Sequence, residues 1–438
     1  MAAGHSVEAG LWPALEGQLL DRVAGRFPRV ETRARFTRFL RGMLAELPRK
    51  TCWSIAEHAG ETSPDGMQHL LNRARWDTDG VAADLRGFVA GHLGESDAVL
   101  IVDESGDLKK GEHTVGVQRQ YTGTAGRIEN AQVAVYLAYA SRHGHALIDR
   151  ELYLPRGWAE DPERRGRAGV PAEVEFATKP ALATTMITNA VDANIPARWA
   201  TGDEVYGADP DLRAQLETLQ LGYVLGIGCN RRVTVHGARG GIRMRVDQVT
   251  AGLAQHCWTR YSAGAGAKGP RFYEWAFVAL HPDDGLGHRW LLIRRHPEHG
   301  ELAYYRCYAP HPVALTELVR VAGTRWRVEE SFQATKTLTG LDEHQVRRWS
   351  SWRRWTLIAM LAHALLAVFA AAARTRHPSP AGLISLTCNE AARLLNRLIS
   401  SPIRSLTSAL SWSHWRRRHQ HRARTSHYQR QEAALGWI

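Results

Sequence analysis

What is scarce in this chain of 438 residues narrows its class before anything else does. It has 5 cysteines, Cys52, Cys229, Cys257, Cys307 and Cys388, which lie far apart with no paired spacing. Neither a disulfide framework nor a zinc ribbon is written into such a pattern, and a reducing cytoplasm suits it. The first twenty residues lack a basic start followed by an apolar block, and they carry Glu8 and Glu16. No secretory signal is therefore expected, and the protein should stay inside the cell. Long apolar runs are also scarce. The stretch from Leu357 to Ala373 approaches the minimum for a membrane span, but His363 sits in its middle and nearly half of it is alanine, which favours a buried core helix. The glycine-rich piece from Gly264 to Pro270 lacks the Lys-Ser/Thr ending of a phosphate-cradling loop and reads as a hairpin tip. No internal repeat is evident.

What is present is positive charge: 56 Lys+Arg against 44 Asp+Glu, a formal net charge of +12. That surplus points to a polyanionic partner. With 44% hydrophobic and 23% charged residues the chain is globular rather than disordered or fibrous, and its length suits two to three domains.

The order of patterns along the chain suggests an architecture. Up to about Gly94 the apolar spacing is helical, with Phe36, Phe39, Leu40, Met43 and Leu44 on one face. Two short helices, Ile55–Gly60 and Met67–Arg73, around the turn Ser63-Pro64-Asp65 are weakly helix-turn-helix-like, with His58 to Arg73 the candidate reading segment, and an ordinary helical hairpin is an equal alternative. At Ala98-Val99-Leu100-Ile101-Val102 the pattern becomes a buried strand, expected to end in the acidic turn Asp103-Glu104-Ser105-Gly106. Strands follow at Ala131–Tyr139 and Ala146–Leu154, as an antiparallel meander. A helix near Ala181–Val191, a strand Arg198–Thr201, a helix near Asp211–Leu219 and a strand Tyr223–Ile227 complete the order β-β-β-α-β-α-β. That is the element order of an RNase H-like mixed sheet, an α/β fold. The expected segments are a helical DNA-binding region (1–95), a catalytic core (96–228), a β-rich insertion (229–310), the core's returning helix (311–340) and a helical C-terminal region with a basic tail (341–438). The tail, with His414-Trp415-Arg416-Arg417-Arg418, mixes rings and cations as nucleic-acid-binding segments do.

Three acids stand where this fold can gather them: Asp103 after the first strand, Asp203 after the fourth, and Glu329 on the later helix. Clustered carboxylates repel one another, and a divalent cation with oxygen ligands relieves them; Mg²⁺ suits a site that substrate phosphates complete. Two such ions can stabilise the attacking and leaving oxygens of a phosphoryl displacement. Arg325, Glu329, Phe332 and Lys336 fall on one helical face, joining a carboxylate to two phosphate-seeking cations. Glu330 is rotated by about 100° and is the alternative to Glu329. Glu104, Asp107 and Glu204 are nearby alternatives to the other two acids. Lys109, Lys110, Arg119 and Arg127 are candidate phosphate contacts or merely solvated cations, and Gln68, His69 and Arg73 are candidate DNA-reading residues. The tryptophans Trp349, Trp352 and Trp355 either wedge into DNA or anchor a helix, and their spacing of three favours the core. His344 has no partner histidine at ligand spacing and reads as a hydrogen-bonded residue of a helical region.

Several ordered motifs carry a resemblance. Val102-Asp103-Glu104-Ser105-Gly106 with Lys109-Lys110-Gly111, Val115–Tyr121, Ile148–Pro155, Gly202–Gly207, Arg325–Phe332 and Leu341–Arg347 resemble the DDE transposases of bacterial insertion sequences, in particular the family numbered seven hundred and one. The resemblance runs from about Arg26 to Ala367. It implies an RNase H-like catalytic domain with Asp103, Asp203 and Glu329 as catalytic metal ligands, and two Mg²⁺ ions for which Mn²⁺ can substitute. It also implies binding to the terminal inverted repeats of an insertion sequence, DNA cleavage, joining of a 3′-hydroxyl to target DNA, a homodimer on DNA, and a cytoplasmic, nucleoid-associated location. Related enzymes carry a tyrosine where Ala322 stands and a further lysine where Gln333 stands, so the fate of the second strand does not carry over. A non-cleaving DNA-binding descendant, or a nuclease that does not join strands, shares the same sequence features.

Overall fold

The computed structural model describes residues 8–61, 63–238, 240–266, 269–281, 286–376, 381–399 and 406–434. Five helices come first: α1 (Trp12–Ala24), α2 (Val30–Leu44), α3 (Cys52–His58), α4 (Asp65–Asn72) and α5 (Thr78–Leu93). Thr51 and Ser54 start α3 with a reciprocal cap, each side chain accepting from the other's backbone N–H. On α4 the buried residues are Met67, Leu70 and Leu71, which leaves Gln68 and His69 on the exposed side.

The next elements are β1 (Val99–Leu108), β2 (Gln118–Thr122), β3 (Arg127–Ala140), β4 (His145–Leu152), α6 (Arg156–Ala159), α7 (Pro162–Ala168), α8 (Lys179–Asp192), β5 (Trp199–Gly202), α9 (Glu204–Gly207), α10 (Pro210–Thr218) and β6 (Gly222–Ile227). The expected order is present with β2 added, so the strand before Asp203 is the fifth rather than the fourth. β1 also does not end at Val102. It stays paired with β3 as far as Leu108↔Ala131, and Asp103, opposite Tyr136, is in mid-strand. An apolar run marks only the buried half of a strand, whereas the ladder is set by the partner, and β3 is 14 residues long.

β7 (Arg232–Gly237) and β8 (Gly240–Arg245) form a separate hairpin, followed by α11 (Val246–Ala251). The strands β9 (Thr259–Gly266), β10 (Gly269–Ala279), β11 (His288–Arg295) and β12 (Leu302–Ala309) extend the main sheet, because β12 pairs antiparallel with β6. The order β2-β3-β1-β5-β6-β12-β11-β10-β9, with β4 also on β3, makes a mixed sheet of 10 strands in which β1–β5 and β5–β6 are the parallel pairs. The tip of the β9–β10 hairpin, residues 267 and 268, lies outside the described residues. A small second core of Ile227, Val233, Val246, Leu280, Leu291, Ile293 and Tyr304 sits under the β7–β8 hairpin.

The chain closes with α12 (Leu315–Thr324), α13 (Trp326–Thr339), α14 (Trp349–Arg376), α15 (Cys388–Ile399) and α16 (Leu406–Ala434). Of the basic tail, Arg418, Arg422 and Arg424 on α16 are exposed, while Arg417 is buried and donates to the carbonyl of Ile384 at 2.8 Å. The helix α14 is the apolar stretch singled out in the sequence, and 89% of its apolar window is buried inside the protein. Trp12 stacks on Phe369 at 5.0 Å, Phe39 meets Trp355 edge-on at 5.7 Å, and Thr339 donates to the carbonyl of Ala359 at 3.0 Å. Trp349, Trp352 and Trp355 are buried here as core, and the Trp355 indole donates to the Gly340 carbonyl at 2.9 Å.

The motif around Asp149-Arg150-Glu151 on β4 is a lock on this helix. Arg150 is buried and donates to the carbonyl of Arg353 at 2.8 Å, Arg353 pairs with Glu151 at 3.0 Å, and Arg86 of α5 pairs with Asp149 at 2.9 Å. Burial pushes the Arg150 guanidinium down to about 10, a cost offset by its bonds to the Arg353 carbonyl and the Thr356 hydroxyl and by the charge of Asp149.

His363 is the exception in α14: it is buried, and neither ring nitrogen has a hydrogen-bond partner among the described residues. Burial pushes its pKa down from 6.5 to about 3. Since the unfolded chain binds this proton first, the neutral ring's stabilising effect is complete above pH 6.5 and is lost as pH falls toward 3. We expect His363→Leu to raise stability by about 1–3 kcal/mol in urea unfolding at pH 7 and to flatten the acid slope below about pH 6.5. An unchanged slope would show that the ring has a proton partner after all.

Candidate active site

Asp103, the fifth residue of β1, points toward the start of α13, where Arg325 ion-pairs with it at 2.9 Å. The next residue, Glu104, meets Lys179 at the start of α8 at 2.6 Å and accepts from the Tyr206 hydroxyl at 2.7 Å. Successive strand residues face opposite sides, so α13 and α8 flank the sheet on its two faces, and the β1 acids lie between them.

Asp203 follows β5 directly and caps α9, its carboxylate accepting from the Val205 backbone N–H at 2.9 Å. The glycines of Gly202-Asp203-Glu204-Val205-Tyr206-Gly207 have a packing reason. A Cβ at Gly207 would run into the carbonyl oxygen of Gly226 on β6, so only glycine lets this turn sit against the sheet. Glu329 reaches the site from α13, which ends at Gly340 in the left-handed region with φ 66°.

The neighbouring residue Glu330 is held elsewhere, by Arg327 at 2.6 Å and by His145 of β4 at 3.4 Å, while Ser331 bonds the other nitrogen of His145 at 2.7 Å. Burial alone would raise the Glu330 carboxyl, but the hydrogen bond from His145 and the charge of Arg327 win and hold it at about 2. The pair Glu330 and Ser331 thus fixes the rotation of α13 that leaves Glu329 facing the Asp103 side.

The electrostatics of Asp103 identify the cluster. Burial raises its carboxyl to about 7; Arg325 opposes this, and the charges of Asp203 and Glu329 add to it. Asp203 is raised as well, by burial and then by the charge of Glu104. Three oxygen-donor side chains in mutual repulsion, one of them poised near neutrality, fit a divalent cation of the Mg²⁺ type by the chemistry of the donor set.

Farther along the same face, Phe332 of α13 packs edge-on against Tyr136 at 5.3 Å, and Lys336 lies in the field of Asp107. The four residues read as one helical face therefore do line the β1–β3 side. Lys109 is turned inward, donating to the His344 carbonyl at 3.1 Å, and His344 is bonded to Asp107 at 3.0 Å. The histidine is hydrogen-bonded as expected, but in the irregular link between α13 and α14 rather than in a helix. Lys110 is exposed on the loop after β1, and Arg119 is exposed on β2. Gln68, His69 and Arg73 are exposed near the end of α4, away from these acids in sequence and element. Ala322 is buried in α12 and Gln333 is exposed on α13. The supports Lys179 and His145 carried no signal in the sequence, and Tyr206 stood in the Gly202–Gly207 motif without a role of its own, because each is defined by a partner far along the chain.

A carboxyl raised to about 7 by burial, with the charges of Asp203 and Glu329 adding to it, stabilises the fold below pH 3.8, an effect lost as pH rises toward 7. At pH 7.5 without metal, Asp103→Asn should therefore melt above the unaltered protein, by roughly 2 °C or more. Added Mg²⁺ should raise the melting temperature of the unaltered protein and not that of the variant. Equal responses of the two proteins to Mg²⁺ would remove Asp103 from the ion's ligands.

The family model described as DDE superfamily endonuclease matches residues 22–240, half of the chain. A relative described as a probable transposase for insertion sequence element IS701, from Microchaete diplosiphon, is 29% identical over 212 residues. The match covers 48% of this chain and 52% of that relative, so the chain spans about half the length of the curated relative it matches.

Proposed function

This chain belongs to the DDE superfamily endonucleases, and we propose that it acts as a transposase on the ends of an insertion sequence, cutting DNA and joining the freed 3′-hydroxyl to target DNA. The observation that carries the proposal is the meeting of Asp103, Asp203 and Glu329 in one electrostatic cluster whose close counter-charge is Arg325. The relative's description as a probable transposase supports it.

The proposed catalytic residues are these three acids, which would hold two Mg²⁺ ions, or Mn²⁺ in their place. Bound there, the ions would supply charge stabilisation to the attacking and leaving oxygens of an in-line phosphoryl displacement. In the first reaction a water oxygen bonds to phosphorus as the P–O3′ bond breaks, leaving a 3′-hydroxyl. In the second, that hydroxyl attacks a target phosphodiester and a target 3′-oxygen leaves.

The chain's own residues orient these reactions. Arg325, on the same side as Glu329, is positioned to give up its bond to Asp103 for a substrate phosphate, and Lys336 lies about two turns of helix beyond Glu329. Lys179 and Tyr206 hold Glu104. His145 and Arg327 hold Glu330 and keep it out of the reaction. Gln68, His69 and Arg73 are proposed to contact the element ends, and the exposed arginines of α16 to add salt-sensitive affinity. Pairing two ends requires a homodimer on double-stranded DNA, with the protein among the nucleoid in the cytoplasm.

The test is cleavage and joining of labelled DNA carrying the flanking element ends, with Mg²⁺ or Mn²⁺. Asp103→Ala, Asp203→Ala and Glu329→Ala should each lose at least about a hundredfold in rate while still binding DNA, whereas Glu330→Ala should keep cutting. Binding without cutting or joining by the unaltered protein would identify a DNA-binding descendant, and cutting without joining a nuclease.

A further inference from the structure

Beyond the carboxylate cluster the protein holds a second cavity, about 630 Å³, between β2, α7 and the segment that enters α14. Five arginines from three separate stretches line it: Arg119 on β2, Arg164 and Arg167 on α7, and Arg347 and Arg348 just before α14. Glu112 is the acidic residue of that lining. Like charges gathered in this way repel, and several arginines elsewhere are neutralised, as Arg26 is by Asp84 at 2.7 Å and Arg353 by Glu151 at 3.0 Å; in this lining Arg167 pairs with Glu163 at 3.7 Å. Among the described residues, no such partner reaches Arg119, Arg347 or Arg348.

The wall that carries these cations is built, not loose. Arg164 lies over the ring of the buried Trp158 at 3.9 Å and donates to the carbonyl of Val117 at 3.1 Å, which also accepts from the Trp158 indole at 2.7 Å. Val115 donates its backbone N–H to the carbonyl of Arg347 at 3.1 Å, and the buried Gln132 amide donates to Val115 at 2.6 Å. The loop after β1 and the approach to α14 are thereby fixed to each other and to β3.

Two of the arginines have a double position. Arg347 and Arg348 also line a neighbouring cavity of about 430 Å³, whose opposite wall includes Trp53 on α3 and Gln68 and Asn72 on α4. Trp53 is 68% exposed there, unusual for so large a ring. On the other side, Arg347 follows His344 by three residues, and His344 is where Lys109 and Asp107 meet. Arg347 and Arg348 thus stand between the contact of Asp107, His344 and Lys109 and the α3–α4 hairpin.

Resting on the DNA-processing function proposed above, we infer that this arginine cavity clamps backbone phosphates of the duplex flanking the bond that is cut, between the carboxylate site and the α3–α4 hairpin. Guanidinium forks match phosphate oxygens, and a duplex offers one charge per about 1.7 Å along its axis, so adjacent arginines can take neighbouring phosphates. Such contacts position the DNA without reading its sequence.

The experiment measures binding of the full chain to two labelled duplexes, one with the element end and one unrelated, across a salt series, together with cleavage by the unaltered protein. Replacing both Arg347→Gln and Arg348→Gln should weaken both duplexes alike and lower the magnitude of the log–log salt slope by about 1.8. Arg347→Lys with Arg348→Lys should keep that slope. If the glutamine pair fails to fold, Arg119→Gln, exposed on the edge strand β2, should lower the slope by about 0.9. An unchanged slope in a folded glutamine variant overturns the clamp, and so does a loss confined to the element-end duplex. If the unaltered protein cuts DNA and the slope is unchanged, the clamp alone fails; if it binds with the expected slope changes but never cuts, the transposase function fails and the clamp stands.

Discussion

A 28-residue helix with 21 buried residues needs a continuous apolar enclosure, and α14 obtains it from the N-terminal helices, the sheet and the helices on either side of it in sequence. The N-terminal helices α1, α2, α4 and α5 cover it, the sheet meets it through β4, and α13 lies along it. Leaving such a helix in water would forfeit that apolar burial, at about 25 cal/mol for each Å² left exposed. The N-terminal helices and the sheet are consequently parts of one packed body, and the geometry between the α3–α4 hairpin and the acids is set by the same packing. The buried ion network of Asp149, Arg150 and Arg353 adds direction, since it pins β4 to one position along the helix.

With that frame fixed, the acids can be held in a cluster that opposes its own stability. Asp103 is buried beside Arg325, yet burial and two further acids outweigh that single cation. The fold tolerates this because the neighbours are locked independently: Glu104 by Lys179 and Tyr206, Glu330 by His145 and Arg327, Asp203 by the α9 backbone. Strain concentrated in one site and supported from outside it is characteristic of sites that await a charged partner.

The same logic applies to cations around the β2–α7 cavity. Arg119, Arg347 and Arg348 are left without acidic partners among the described residues where the loop after β1 meets the approach to α14. Both concentrations of unbalanced charge, negative at Asp103 and positive at Arg347 and Arg348, lie along the side of the sheet that α13 and its exit segment cover. A phosphodiester chain with cations at its reacting bond would complement both.

The sequence by itself determined the elements and their chemistry. Apolar runs announced β1, β3, β4, β5, β6 and α14, and the motif order pointed to the acids Asp103, Asp203 and Glu329. Local periodicity and backbone preference act within a few residues, so these features are readable from neighbours alone. Only the tertiary structure decided that β1 runs on through Asp103 to Leu108, that β9–β12 join the central sheet, and that β2 forms an edge. Those outcomes depend on which strand supplies the other half of each hydrogen-bond ladder. Likewise, the inward turn of Lys109, the holding of Glu330 by His145 and the gathering of Arg119, Arg164 and Arg348 around one cavity join residues from about 45 to more than 200 positions apart. No period or motif encodes such meetings, because they are set by the packing of whole helices and sheets around α14.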